Sequence, residues 1–170
     1  LGTVVANAQL ALARSQGPAD LALTNRGSLR TDLPAEVTHG AVYAAQPFGN
    51  YLVVLGLSGA ELTELLAQQW RKDPAHPTLL QTSSNFAYRW RVSTDPAERL
   101  VEPRLDGKPI EAGRIYRVVV NVFLAEGGDG FSVLQKGRDA QIVGKDLDAL
   151  EHYLREHSAE IDFHSRGRIA

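Results

Sequence analysis

The chain has 170 residues, 44% hydrophobic and 22% charged, which suits one globular domain with a substantial core and argues against a disordered chain. Its net charge is −2 with acids and bases interspersed, so no basic stripe points to a nucleic-acid polymer, though a few arginines in one cleft can still hold a small anion. It contains no cysteine and no methionine, which excludes disulfides, thiolate chemistry and thiolate-bound zinc.

In chain order, residues 3–15 place Val4, Val5, Ala8 and Leu12 on a broad apolar helical face that Gly17-Pro18 ends. Residues 20–24 read as a short buried strand running into the polar loop 25–30. A short helix over 40–45 stops before Pro47, and 51–57 is a β-rich run. Ser58 and Glu61 have the spacing of a capping box, and Leu62, Leu65, Leu66 and Gln69 continue a helix to about Arg71. After the loop 73–77, residues 79–82 and 86–92 are strands. In the second, Phe86, Tyr88, Trp90 and Val92 alternate with Ala87, Arg89 and Arg91, so one face is buried. Asp106-Gly107 signals a hairpin, 116–121 is a strong strand, and 126–130 is a glycine-rich loop. A final helix over 146–157 turns Leu147, Leu150, Tyr153 and Leu154 inward. Mixed helices and hairpin strands predict an α+β fold, mixed sheets with flanking helices, as a single domain over 1–170.

Three loops carry the unusual residues: 25–30, 47–50 and 123–131. Arg26 and Arg30 offer planar forks suited to phosphate or carboxylate oxygens; the alternative is a solvated surface pair. Asn25 can donate to a ligand or simply close a turn. Phe48 and Phe123, beside glycines such as Gly49 and Gly128, can clamp a flat ring by stacking, or both can belong to the core. The Asp129 carboxylate can accept hydrogen bonds from a ligand hydroxyl or bond to its own backbone in the turn. His39, His76, His152, His157 and His164 form no H-x-x-x-H pair, and no metal site or hydrolase nucleophile elbow is expected. On these residues the chain reads as a binding domain, with no catalytic residues of its own.

Together the blocks LGTVVANAQLALA, ADLALTNRGSLRTDLP, QPFGNYLVVLGLSGAELTELL, LQTSSNFAYRW, DGKPI, YRVVVNVFLAEGGDGF and DLDALEHYL resemble the C-terminal domain of the 5'-nucleotidase family. That resemblance covers nearly the whole chain and implies roles. Phe48 and Phe123 match the pair that sandwiches the nucleobase, and Asp129 the aspartate that binds ribose hydroxyls. Asn25 and Arg30 match the polar pair at the base and phosphate side; Arg26, Gly49 and Gly128 are further candidates. Where the family usually reads Asn-Gly-Gly-Gly-Ile-Arg, this chain has Asn25-Arg26-Gly27-Ser28-Leu29-Arg30, which puts a bulky cation in the loop.

The same resemblance implies a metal-dependent phosphohydrolase acting on nucleotides, located in the periplasm or at the cell surface. Two divalent metals are expected in an N-terminal metallophosphoesterase domain of the same polypeptide, and no cofactor in this chain. A further binding arginine and any export signal are expected upstream of Leu1, since a chain that opens on leucine and lacks methionine reads as a piece of a longer one. No apolar run reaches the roughly 20 residues that cross a bilayer. The alternative function is a free-standing nucleotide-binding or adaptor module without catalysis.

Overall fold

The computed structural model describes residues 1–34, 37–91, 93, 95 and 100–157. Helix α1 (Gly2–Gln16) leads into strand β1 (Leu21–Asn25), and a 3-10 turn (Arg26–Ser28) precedes helix α2 (His39–Ala45). Strand β2 (Tyr51–Ser58) runs into helix α3 (Gly59–Ala67), followed by strands β3 (Leu80–Thr82), β4 (Phe86–Trp90), β5 (Leu100–Leu105) and β6 (Lys108–Pro109). Strand β7 (Ile115–Asn121) continues directly into the one-turn helix α4 (Val122–Ala125), and strand β8 (Arg138–Lys145) into helix α5 (Asp146–His157). Val92, expected to end the strand that stops at Trp90, and His164 lie outside the described residues.

Five strands form one sheet in the order β3-β1-β7-β2-β8, and β4-β5-β6 form a smaller antiparallel one. Within the larger sheet only β1 and β7 run parallel, pairing Leu21 with Val118 and Ala22 with Val119. This is the α+β arrangement expected, with mixed sheets flanked by helices.

The period of two along each strand explains why the sheet is buried on both faces. Leu21, Leu23, Leu55, Leu57, Tyr116, Val118 and Val120 point one way, into a core shared with Leu62, Leu65 and Leu66 of α3 and with Phe86 and Tyr88 of the small sheet. Ala22, Leu52, Val54 and Val119 point the other way, against Ala6, Leu10 and Ala13 of α1 and Ala149 of α5. Alanines on α1 let that helix lie close to the sheet.

The Ser58 capping box forms: its hydroxyl accepts from the Glu61 amide at 3.2 Å, and the Glu61 carboxylate accepts from the Ser58 amide at 2.8 Å. The helix it starts gives way at Gln68 to a 3-10 turn reaching Trp70, one residue short of the expected end. Gln69, buried there, receives the Leu80 amide and the Tyr88 hydroxyl at 2.7 and 2.8 Å, tying the small sheet to the end of α3. Burial pushes the Tyr88 hydroxyl far above its ordinary pKa.

Candidate functional site

The candidate residues come from the carboxyl ends of β1 and β7 and from the turn between α2 and β2. β1 ends at Asn25, and β7, its parallel neighbour, ends at Asn121, so both strands deliver polar side chains to one edge of the sheet. The register of β2 on β7 sets Leu52 opposite Asn121, which brings the turn before β2 to the same edge.

There a cleft of about 260 Å3 opens, lined by Asn25, Gly27, Ser28, Phe48, Asn50, Asn121, Phe123 and Asp129. Phe48 and Phe123 line it together although 75 positions separate them, and they are 54% and 44% exposed. Core phenylalanines such as Phe86 and Phe131 are at most 1% exposed, so the two cleft rings are not holding the core together. A ring inserted between apolar walls of this kind gains stacking and burial without displacing packed neighbours.

A short hydrogen-bond relay holds the polar side of the cleft. Asn121, fully buried, donates from Nδ2 to Asn25 Oδ1 at 3.0 Å, and Asn25 donates from Nδ2 to Asp129 Oδ2 at 2.9 Å. The other end of Asn121 accepts from the Leu124 amide at 2.9 Å and so caps α4, the turn that carries Phe123. One buried amide thus sets both the aromatic and the acidic arm of the cleft. Asn25 is only 6% exposed and retains one amide N–H beyond its bond to Asp129. Asp129 is bound by Asn25 across the cleft rather than by its own turn, and its φ of 58° is a left-handed conformation that aspartate tolerates better than most residues.

Gly128 has to be glycine for reasons of space: a Cβ there would come within 2.5 Å of the Phe123 ring and of its carbonyl oxygen. Gly49 has a φ of 59°, the left-handed region that turns the chain between Phe48 and Asn50. Asn50 is fixed from below, because its carbonyl accepts from the Asp146 amide at 2.9 Å at the start of α5. Burial pushes the Asp146 carboxyl above its ordinary pKa.

Arg30 and Arg26 lie elsewhere. Both line a wider open cleft of about 710 Å3 with Leu29, Asp32, Thr78 and Gln81 among its walls. Arg30 joins the two clefts: its guanidinium lies 5.7 Å from the centre of the Phe48 ring, and its amide donates to the Ala45 carbonyl at 2.9 Å, just before the Phe48 turn. Asn121 and Asn50 were not singled out as site residues in the sequence. The signal available for Asn121 was a polar residue closing the apolar run of β7, directly before the Phe123 block. Among the described residues, no group of three His, Asp or Glu gathers where a metal ion can be held.

The family described as "5'-nucleotidase, C-terminal domain" matches residues 1–136. The chain is 33% identical over 94% of its length to a cell wall protein of Listeria monocytogenes, spanning 21% of that protein. It is 28% identical over 99% of its length to a trifunctional nucleotide phosphoesterase protein of Bacillus subtilis, spanning 12% of it. Its structure superposes with a TM-score of 0.83 on a 5'-nucleotidase precursor from Thermus thermophilus, at 32% identity, covering 99% of this chain and 34% of that one. The chain therefore spans only a minor part of each of these relatives. With the family matched over most of its length, the chain belongs to the 5'-nucleotidase family as a C-terminal domain.

Proposed function

We propose that this chain is the nucleoside-recognition domain of a metal-dependent phosphohydrolase that acts on nucleotides. The observation that carries the reading is the cleft in which two exposed phenylalanines and one carboxylate meet. Phe48 and Phe123 clasp the base, Asp129 accepts hydrogen bonds from ribose hydroxyls, and Asn25 positions that carboxylate and offers its remaining N–H to the ligand. Arg30, beside Phe48, meets the phosphate as it leaves the aromatic cleft.

Two divalent metals and the water they activate belong, in this reading, to a metallophosphoesterase domain elsewhere in the same polypeptide. The contribution of the present residues is orientation: a base and ribose held in place deliver the phosphorus to that centre in one geometry. Names among the relatives, a cell wall protein and a nucleotide phosphoesterase, support a secreted or surface protein of nucleotide catabolism.

Calorimetric titration with adenosine tests the clamp. Phe48→Ala or Phe123→Ala is expected to weaken binding by about 1–3 kcal/mol per stacked face. Folding stability should fall by less than the roughly 3–5 kcal/mol typical of a buried Phe→Ala change. Unchanged binding together with a large stability loss would mean that the rings pack rather than bind. The chain alone, incubated with AMP and excess manganese or zinc, is expected to release no phosphate. Turnover that persists through repurification would place the catalytic machinery in this domain.

A further inference from the structure

We propose that Arg26 is a second anion-binding residue which, with Arg30, selects nucleotides carrying two or more phosphates in a chain. The inference rests on the aromatic cleft being the nucleoside site.

Arg30 stands where the two clefts adjoin, its guanidinium over Phe48 and its side chain also lining the wider cleft. A nucleoside seated between Phe48 and Phe123 therefore sends its first phosphate past Arg30 and the following ones into the wider cleft. Arg26 lines that cleft too, four positions earlier, at the start of the 3-10 turn closed by the Leu29 amide on the Arg26 carbonyl at 3.1 Å.

Among the described residues, the charges of both arginines stand outside any ion pair. Arg71, Arg104, Arg114, Arg138 and Arg155 each face a carboxylate within 4 Å. Arg26 and Arg30 have no such partner among the described residues; Arg30 makes only a 3.4 Å bond to the Gly27 carbonyl. Guanidinium forks that open on one concave surface, neither paired with a carboxylate within 4 Å among the described residues, suit successive phosphate oxygens. At about 710 Å3 the wider cleft has room for a phosphate chain that the 260 Å3 aromatic cleft lacks. Asp32 on its wall disfavours unlimited negative charge and favours a short chain or one ending in a neutral hydroxylated group.

Titration of the whole chain with adenosine, AMP and ADP at low salt reads the effect. ADP is expected to bind about tenfold more tightly than AMP, the scale of one charge-assisted contact on a partly solvated site. In Arg26→Ala the ADP-to-AMP ratio should fall toward unity while adenosine affinity and the melting temperature stay put, because Arg26 is exposed. Arg26→Lys should keep an intermediate ratio, an ammonium having charge without the fork. Arg89→Ala, which removes the same charge from an exposed position on β4, should leave the ratio as it is. An unchanged ratio in Arg26→Ala, or an equal fall in Arg89→Ala, overturns the proposal.

If wild-type chain fails to bind adenosine, or binds it regardless of Phe123→Ala, the nucleoside reading is what fails. Pyrophosphate alone then decides the anion site. Binding that disappears in Arg26→Ala sustains it, whereas no binding, or binding indifferent to Arg26, removes it.

Discussion

Asn121 shows how much one buried side chain can organise. Its two ends bond Asn25 and the Leu124 amide, and through them the positions of Asp129 and Phe123. Asn121→Ala leaves Asn25 Oδ1 and the Leu124 N–H without partners, an expected loss of about 1–3 kcal/mol of folding stability. Because α4 is a single turn capped by this residue, Phe123 should also loosen and adenosine affinity should drop. Denaturant melts and adenosine titration of the same variant measure both. A destabilised variant that binds adenosine normally would show that Asn121 supports the core but does not align the cleft. The glycine at 128 acts at the same scale and by a different cause, exclusion of a Cβ by the Phe123 ring rather than hydrogen bonding.

Among the secondary-structure elements, α3 and β8 depend on each other. Glu61, which completes the capping box of α3, also receives both terminal nitrogens of Arg138 at 2.7 and 2.8 Å, pinning the first residue of the edge strand. The Arg138 fork, followed by the Ser58 amide, lowers the Glu61 carboxyl from 4.5 to about 2. A carboxyl depressed in the folded state contributes stability that is fully present above its unfolded value and lost as pH falls through the folded one. This contribution should therefore hold above about pH 4.5 and fade between that value and pH 2. Glu61→Gln should lower stability at neutral pH by roughly 1 kcal/mol, the scale of a cap and an exposed pair. The gap between the two proteins should close as the pH approaches 2. A gap independent of pH would assign the effect to capping geometry instead of charge.

For the molecule as a whole, the five-stranded sheet is shared by the two main cores, so neither can dissolve alone. β7 lies at its centre, bonded to β1 and β2, while β8 is an edge whose side chains are mostly exposed, Ile142 at 66%. Amide exchange should be slowest in β7 and much faster on the open side of β8, within one cooperative unfolding transition. Equal protection of β7 and β8, or two separate transitions, would contradict a core organised around the shared sheet.

β8 also marks where sequence patterning fails. Its residues Arg138 to Lys145 show no apolar alternation because only Val143 is buried, and register shifts against β2 interrupt the ladder. Where burial imposes a period, the elements were legible: the apolar runs of β2 and β7, the hairpin at Asp106-Gly107 between β5 and β6, and the capping box of α3. α5 was placed correctly, with Leu150 and Leu154 buried, though its buried face also takes in Asp146 and Ala149.

The candidate residues were legible as a set, because aromatics, an aspartate and arginines in glycine-rich loops can be read from the chain itself, whereas the roles expected of them came from the family resemblance. Their arrangement was not local. Asn25 meets Asp129 across 104 positions and Asn121 across 96, and only the parallel pairing of β1 with β7 brings those strand ends together. Whether Phe48 and Phe123 are core or cleft was decided by tertiary packing, which buries Phe86 and Phe131 and leaves these two in the open. The placement of Arg30 beside Phe48 as well as in the wider cleft, where Arg26 also lies, likewise follows from the tertiary bond of the Arg30 amide to the Ala45 carbonyl at the end of α2.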